Sequence, residues 1–199
     1  MLALSPTEWK TLNKIPTLAA KSAARIGHPS VSTRIIDVGT GSGCIAVALA
    51  KELPEAEIYA VDTSAAALEI AHANAARHQF DTRIMFRQGD LLAGFPSNYF
   101  DLVASNPPYV GESEADQVQL EVRKFEPRNA VFAGPTGLEV IARIVPQAAE
   151  ALKPGGWLVM EISGAIADGV KRLLHNWIDV RLINDLQGIP RVAAGQKPM

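Results

Sequence analysis

The chain has one cysteine, Cys44, in 199 residues. It therefore cannot form an internal disulfide, and nothing marks it for an oxidising compartment. No apolar stretch approaches the roughly 20 residues that a helical membrane span needs. The start, Met1-Leu2-Ala3-Leu4-Ser5-Pro6, lacks the charged leader and apolar core of a signal peptide, so the cytoplasm is the expected compartment. Positive charge is not in excess: 19 Lys and Arg stand against 21 Asp and Glu, a formal charge of -2. No overall field thus recruits a polyanion or an anionic membrane. Aromatics make up only 6% of the residues, leaving no clear base-stacking set beyond Tyr109. The four histidines, His28, His72, His78 and His175, lie apart, and with one cysteine they give no metal-ligand cluster. Internal repeats and low-complexity tracts are absent.

What remains is an ordinary globular composition, 48% hydrophobic, in a chain long enough for one well-buried domain. Apolar positions Trp9, Leu12, Ile15, Leu18 and Ala19 predict a helical segment over about 7–25, interrupted at Pro16. Short buried strands are expected at 34–38, 57–61, 83–87, 100–105 and 157–162. Helices are expected at 44–53, 65–78 (capped by Ser64), 138–152 and about 165–177. Segments 180–183 and 190–193 are strand-like and close enough in sequence to form a hairpin. The stretch 107–136 shows little periodicity outside 118–122, and a loop of that length in a compact domain usually serves function or is disordered. Alternating strands and helices predict an α/β fold: an open, mostly parallel sheet covered on both faces, with an antiparallel edge hairpin.

Such sheets bind ligands beyond the carboxyl ends of their strands. The first strand-to-helix junction reads Asp37-Val38-Gly39-Thr40-Gly41-Ser42-Gly43. Its alternate glycines permit a tight turn and close approach of backbone to ligand. A dinucleotide fingerprint would place a pyrophosphate over a helix N-terminus. Asp37, two residues ahead of the first glycine, would repel that group but suits ammonium and sulfonium charges, which points to S-adenosylmethionine rather than NAD. Asp62 closes the second strand, where a carboxylate can take both hydroxyls of a ribose. Asp90, followed by Leu91, ends the third strand within reach of an adenine amino group. Cys44 has no paired base and reads as a small core residue rather than a nucleophile.

The fourth strand runs into Asn106-Pro107-Pro108-Tyr109. The asparagine amide both accepts and donates hydrogen bonds. Pro107 holds Asn106 extended and Pro108 stiffens the continuation. Tyr109 adds a flat ring with a polar tip. A rigid amide beside a ring can grip a planar, hydrogen-bonding group.

On these residues the chain resembles the class I methyltransferases that act on amide or exocyclic nitrogens. Further segments narrow the likeness: Phe125-Glu126-Pro127-Arg128-Asn129-Ala130, Gly134-x-x-Gly137-Leu138, Leu152-Lys153-Pro154-Gly155-Gly156, Glu161-Ile162 and Asp185-x-x-Gly188-x-x-Arg191-Val192. Together they resemble the HemK/PrmC family, the protein-(glutamine-N5) methyltransferases of peptide chain release factors, from about residue 33 to the end. Asn-Pro-Pro-Tyr alone is shared with DNA adenine and rRNA guanine methyltransferases; the Glu-Pro-Arg segment is the more specific part.

The resemblance implies a Rossmann-like, seven-stranded catalytic domain over 31–199, preceded by a helical segment over 1–30. Family members carry a larger helical substrate-binding domain ahead of the catalytic one, and here there is room for one helix pair. Their Ile-Pro-Arg-Pro-Glu-Thr-Glu-like stretch has only Leu4-Ser5-Pro6-Thr7-Glu8 as a counterpart.

The resemblance also implies site roles. Asp37, Gly39, Thr40, Gly41, Ser42, Gly43, Asp62, Asp90, Leu91 and Asn106 would line the cofactor. Asn106, Pro107 and Tyr109 would serve catalysis, with Pro108, Glu126 and Arg128 joining them around the substrate glutamine, itself in the Gly-Gly-Gln loop of a release factor. An amide nitrogen is a poor nucleophile because its lone pair is delocalised. Acceptance of its hydrogens by the Asn106 side chain and the Pro107 carbonyl, with Tyr109 stacked on its plane, would aim that lone pair without a strong base.

The loop's Glu112, Glu114, Asp116 and Glu121 outnumber Arg123 and Lys124. That bias fits a protein partner, or simply a solvated loop, better than a nucleic-acid track. Two alternatives stand beside this reading: methylation of an exocyclic amino group of rRNA or DNA, and a cofactor-binding domain without activity.

Overall fold

The computed structural model describes residues 32–112 and 128–199. The helical expectation over 7–25, the weak periodicity at 118–122 and Glu126 lie outside these residues.

Strands β1 (Arg34–Val38), β2 (Glu57–Asp62), β3 (Ile84–Gln88), β4 (Phe100–Ser105), β7 (Leu152–Glu161), β8 (Ile178–Asn184) and β9 (Pro190–Gln196) form one sheet in the order β3-β2-β1-β4-β7-β9-β8. The pairs from β3 through β7 are parallel, whereas β9 runs antiparallel to both β7 and β8. A pair of two- and three-residue strands, β5 (Val110–Gly111) and β6 (Phe132–Gly134), forms a separate parallel ladder. Helices α1 (Cys44–Glu52), α2 (Ala65–Arg77), α3 (Arg128–Val131), α4 (Glu139–Ala151) and α5 (Ala167–Leu173) connect the strands. This is the expected α/β architecture with seven strands and an antiparallel edge.

Alternation along the strands builds two apolar layers. Ile36, Val38, Val103, Leu158 and Met160 pack under α4 and α5 with Ile141, Ile144 and Val170. Ile35, Ile58, Leu102 and Val159 face the other way, among Ala46, Ala50 and Ala75 of α1 and α2. Burial on both faces explains why these strands read as continuous apolar runs. The small alanines let α1 and α2 lie close to the sheet.

Four expectations are corrected, the first being Cys44, which opens α1 on an exposed position rather than in the core. The strand expected at 157–162 starts earlier, at Leu152, so that β7 takes in Pro154-Gly155-Gly156; its register shifts between the Phe100 and Leu102 pairings, with Gly155 at φ 77. A bulge thus absorbs residues whose chemistry signals a turn. The expected helix over 165–177 is a 3-10 turn (Gly164–Ile166) running into the shorter α5. Within 107–136, the described parts hold β5, α3 and β6 rather than unbroken loop. Elements of two to four residues leave no periodicity to detect. Helix α4 runs through Pro146, at the expense of one backbone hydrogen bond.

Candidate functional site

The chain leaves β1 for β2 and β3 on one side, then returns to β4 on the other. The strand order reverses between β1 and β4, and the carboxyl ends of neighbouring strands part there into a crevice. Two of the sequence motifs meet at that point. Asp37 pairs with Ala104 and Val38 with Ser105, and the Ser105 hydroxyl donates to the Val38 carbonyl at 2.7 Å.

Asp37 is fully buried. Its Oδ2 accepts from the Thr40 hydroxyl at 2.6 Å and the Ala46 amide at 3.1 Å, while Oδ1 has no hydrogen-bond partner among the described residues. Burial pushes its pKa up to about 6, against the Thr40 and Ala46 hydrogen bonds. A buried carboxylate oxygen without a donor is costly, and an ammonium group is the donor that would satisfy it best. The donor set therefore fits the ammonium of S-adenosylmethionine.

The glycine turn is tied to β2 through Gly39 and Thr40 amides, which both donate to the Val61 carbonyl. Gly39, Gly41 and Gly43 all have positive φ, and the space where a Cβ would stand on Gly39 or Gly41 is open. Gly43 instead abuts Ala71 of α2, whose backbone would lie 3.1 Å from such a Cβ. The Ser42 carbonyl accepts from Asn74 at 2.9 Å.

Asp62 has a structural duty that sequence reasoning missed. Its Oδ2 accepts from the Gly41 amide and its Oδ1 from the Ser64 amide, each at 2.9 Å. The same carboxylate thus fixes the glycine turn and the start of α2, where Ser64 caps the Ala67 amide. A carboxylate has about four lone-pair sites, so acceptor capacity remains on both oxygens. Asp90 is exposed and pairs with Arg143 of α4 at 2.5 Å. Leu91, beside it, is half-buried with φ 53.

Asn106 is exposed, and no hydrogen bond engages its side chain among the described residues. Pro107 is buried, and Pro108 and Tyr109 are half-buried. The Tyr109 hydroxyl donates to Oε1 of Glu161 at 3.0 Å. Burial and then the Glu161 charge raise the phenol's pKa well above the usual tyrosine range, while Arg191 opposes the shift. Gly137 lies against this segment: a Cβ there would run into the Tyr109 carbonyl, at a φ of 80 that side chains rarely adopt. Arg128 is exposed, lies 3.9 Å from Glu112 and covers the Phe132 ring. Glu161 had two sequence signals, an acid following the apolar run 157–160 and its place in the Glu161-Ile162 segment of the family resemblance. Among the described residues, no three His, Cys, Asp or Glu side chains gather as for a metal ion, and no helix is long and apolar enough to cross a membrane.

A family model described as the methyltransferase small domain matches residues 23–124. A release factor glutamine methyltransferase of Koribacter versatilis (strain Ellin345) is 52% identical over 169 residues, 84% of this chain and 60% of its own length. A protein of the same name from Rhodopirellula baltica is 42% identical over 170 residues, 83% of this chain and 57% of its own. The chain spans about six tenths of the length of these curated relatives. Among solved structures, a ribosomal protein L11 methylase from Lactobacillus delbrueckii subsp. bulgaricus superposes with a TM-score of 0.60 at 20% identity, over 94% of this chain and 80% of that one. That likeness shows a shared methyltransferase fold.

Proposed function

The chain belongs to the methyltransferase small domain family, and on that premise we propose that it methylates the side-chain amide nitrogen of a glutamine in the Gly-Gly-Gln loop of a peptide chain release factor, using S-adenosylmethionine. One juxtaposition carries the reading. At the strand-order reversal, a buried carboxylate oxygen of Asp37 that has no donor among the described residues stands one strand from the exposed Asn106 amide, which no hydrogen bond engages among those residues. The names of the relatives that match most of this chain support the choice of acceptor.

In this reading residues 31–199 form the catalytic unit and 1–30 a helical lead-in. Asp37 takes the cofactor's ammonium, the Gly39–Gly43 turn lies along it, and Asp62 takes its ribose while holding the turn. Asp90 and Leu91 face its adenine, with Arg143 restraining Asp90. When bound, S-adenosylmethionine supplies an electrophilic methyl group. The Asn106 side-chain oxygen and the Pro107 carbonyl accept the two amide hydrogens of the glutamine, and the Tyr109 ring lies on its plane. These two acceptors and the ring would fix the plane of the amide and so aim its lone pair. Alignment and fixed dipoles do the work, and no strong base is needed. Arg128 and Glu126 border the acceptor. Release factors act in translation, which sets this activity in the cytoplasm.

Incubation with methyl-labelled cofactor tests the proposal, with a release factor, the same factor lacking its Gly-Gly-Gln glutamine, tRNA and rRNA, and DNA as separate acceptors. Label should enter only the intact release factor. Label on nucleic acid alone would overturn the assignment.

A further inference from the structure

Glu161 stands at the end of β7, beside β4, and touches the acceptor motif through one side chain: its Oε1 accepts from the Tyr109 hydroxyl at 3.0 Å. It is held from the far side by β9. Glu161 pairs in register with Val192, and the next amide, Ile162, donates to the Arg191 carbonyl at 2.9 Å. Arg191 in turn bonds Asp185 at 3.0 Å, and Asp185 accepts from the Gln187 and Ile189 amides, closing the β8–β9 turn. The strand that presents Glu161 to the phenol is thus tied to β9 and to the β8–β9 turn. The Tyr109 backbone is confined as well, by Gly137 against its carbonyl.

We propose that Glu161 is a positioning residue of the transfer reaction: by accepting the Tyr109 hydrogen bond, it sets the tilt of the ring against which the acceptor amide lies. The inference rests on the methyl-transfer reading above. A half-buried phenol has few other routes to a partner, and a ring anchored only at its Cα would turn about two side-chain bonds. Loss of the anchor therefore costs alignment, to which transfer between bound reactants is sensitive. In this proposal Glu161 acts on the transfer through the Tyr109 ring and is not itself a catalytic residue.

The test is a double-mutant cycle in the full chain with Tyr109→Phe, Glu161→Leu and the pair, plus Glu161→Gln, which keeps an acceptor oxygen without the charge. Single-turnover methyl transfer should fall about tenfold or more in Glu161→Leu, with cofactor affinity by calorimetry unchanged. The double variant should be no slower than Tyr109→Phe alone, and Glu161→Gln should recover most of the rate. Additive losses, or no recovery with glutamine, would overturn the proposal.

A second readout does not depend on activity. Ultraviolet titration of the phenols, taken as the difference from Tyr109→Phe, should show Tyr109 ionising at lower pH once the Glu161 charge is removed. If the wild type transfers no methyl group to any glutamine, the function reading fails. The titration then decides the contact by itself, and an unchanged Tyr109 curve in Glu161→Leu sinks it.

Discussion

Asp37 combines complete burial with an unanswered oxygen, and this gives it a readable pH signature. Its folded pKa of about 6 exceeds the ordinary 3.8, so the folded chain holds the proton more tightly than the unfolded one. This contribution to stability is fully present below about pH 4 and is lost as pH rises through 6, a change of roughly 3 kcal/mol. Asp37→Asn removes the titration. Chemical denaturation of the cofactor-free protein should show the variant gaining on the wild type by about that amount between pH 4 and pH 7. Calorimetry should show its S-adenosylmethionine affinity at pH 7 reduced at least about tenfold, the scale of a lost charge-assisted hydrogen bond. Asn106→Ala should do the reverse: cofactor affinity within a few-fold of wild type, single-turnover transfer slowed about a hundredfold or more, as when one preorganised polar group is removed elsewhere. The positions of both residues were legible from an acid before a glycine turn and an amide before two prolines. The double backbone duty of Asp62 was not, because its partners are set by the path of the folded turn rather than by residue type.

At the scale of elements, the glycine turn divides into two kinds of position. Gly43 is pressed against α2, and a methyl group there meets the Ala71 backbone at a φ of 80. Gly41 faces open space, though it also has positive φ. Gly43→Ala should therefore lower stability by about 2 kcal/mol or more, from strain plus overpacking. Gly41→Ala should cost about 1 kcal/mol of stability yet weaken cofactor binding more than Gly43→Ala does at matched folded fractions. Denaturation and calorimetry on the two variants would check the ordering. The sequence announced this turn, but its three glycines look alike there; contact with α2 separates them. The same holds for β7, where local chemistry says turn at 154–156 and sheet pairing with β4 carries the strand through it.

Across the whole molecule, the reversal of strand order between β1 and β4 decides where function can sit. The two apolar layers hold these strand ends in place whether or not a ligand is present. A cofactor that binds only the folded form adds stability by mass action. At a free concentration a hundred times its Kd, S-adenosylmethionine should stabilise the wild type by about 2.7 kcal/mol, seen as a raised Tm. At that same concentration Asp37→Asn should gain distinctly less.

Strands β1 to β4, helices α1, α2 and α4, the glycine turn and the Asn106–Tyr109 motif were legible in the sequence alone, whereas the start of β7, the shortened α5 and the short elements β5, α3 and β6 were not. Periods of two and 3.6 residues, glycine spacing and proline geometry are local properties, complete within a dozen residues. The tertiary structure alone decided that Tyr109 is anchored by Glu161, 52 residues on, and that Asp90 is restrained by Arg143, 53 residues on. It also decided that one oxygen of Asp37 is left without a donor. Each depends on which strands become neighbours and how deeply a side chain is buried, and those are consequences of packing that no local pattern contains.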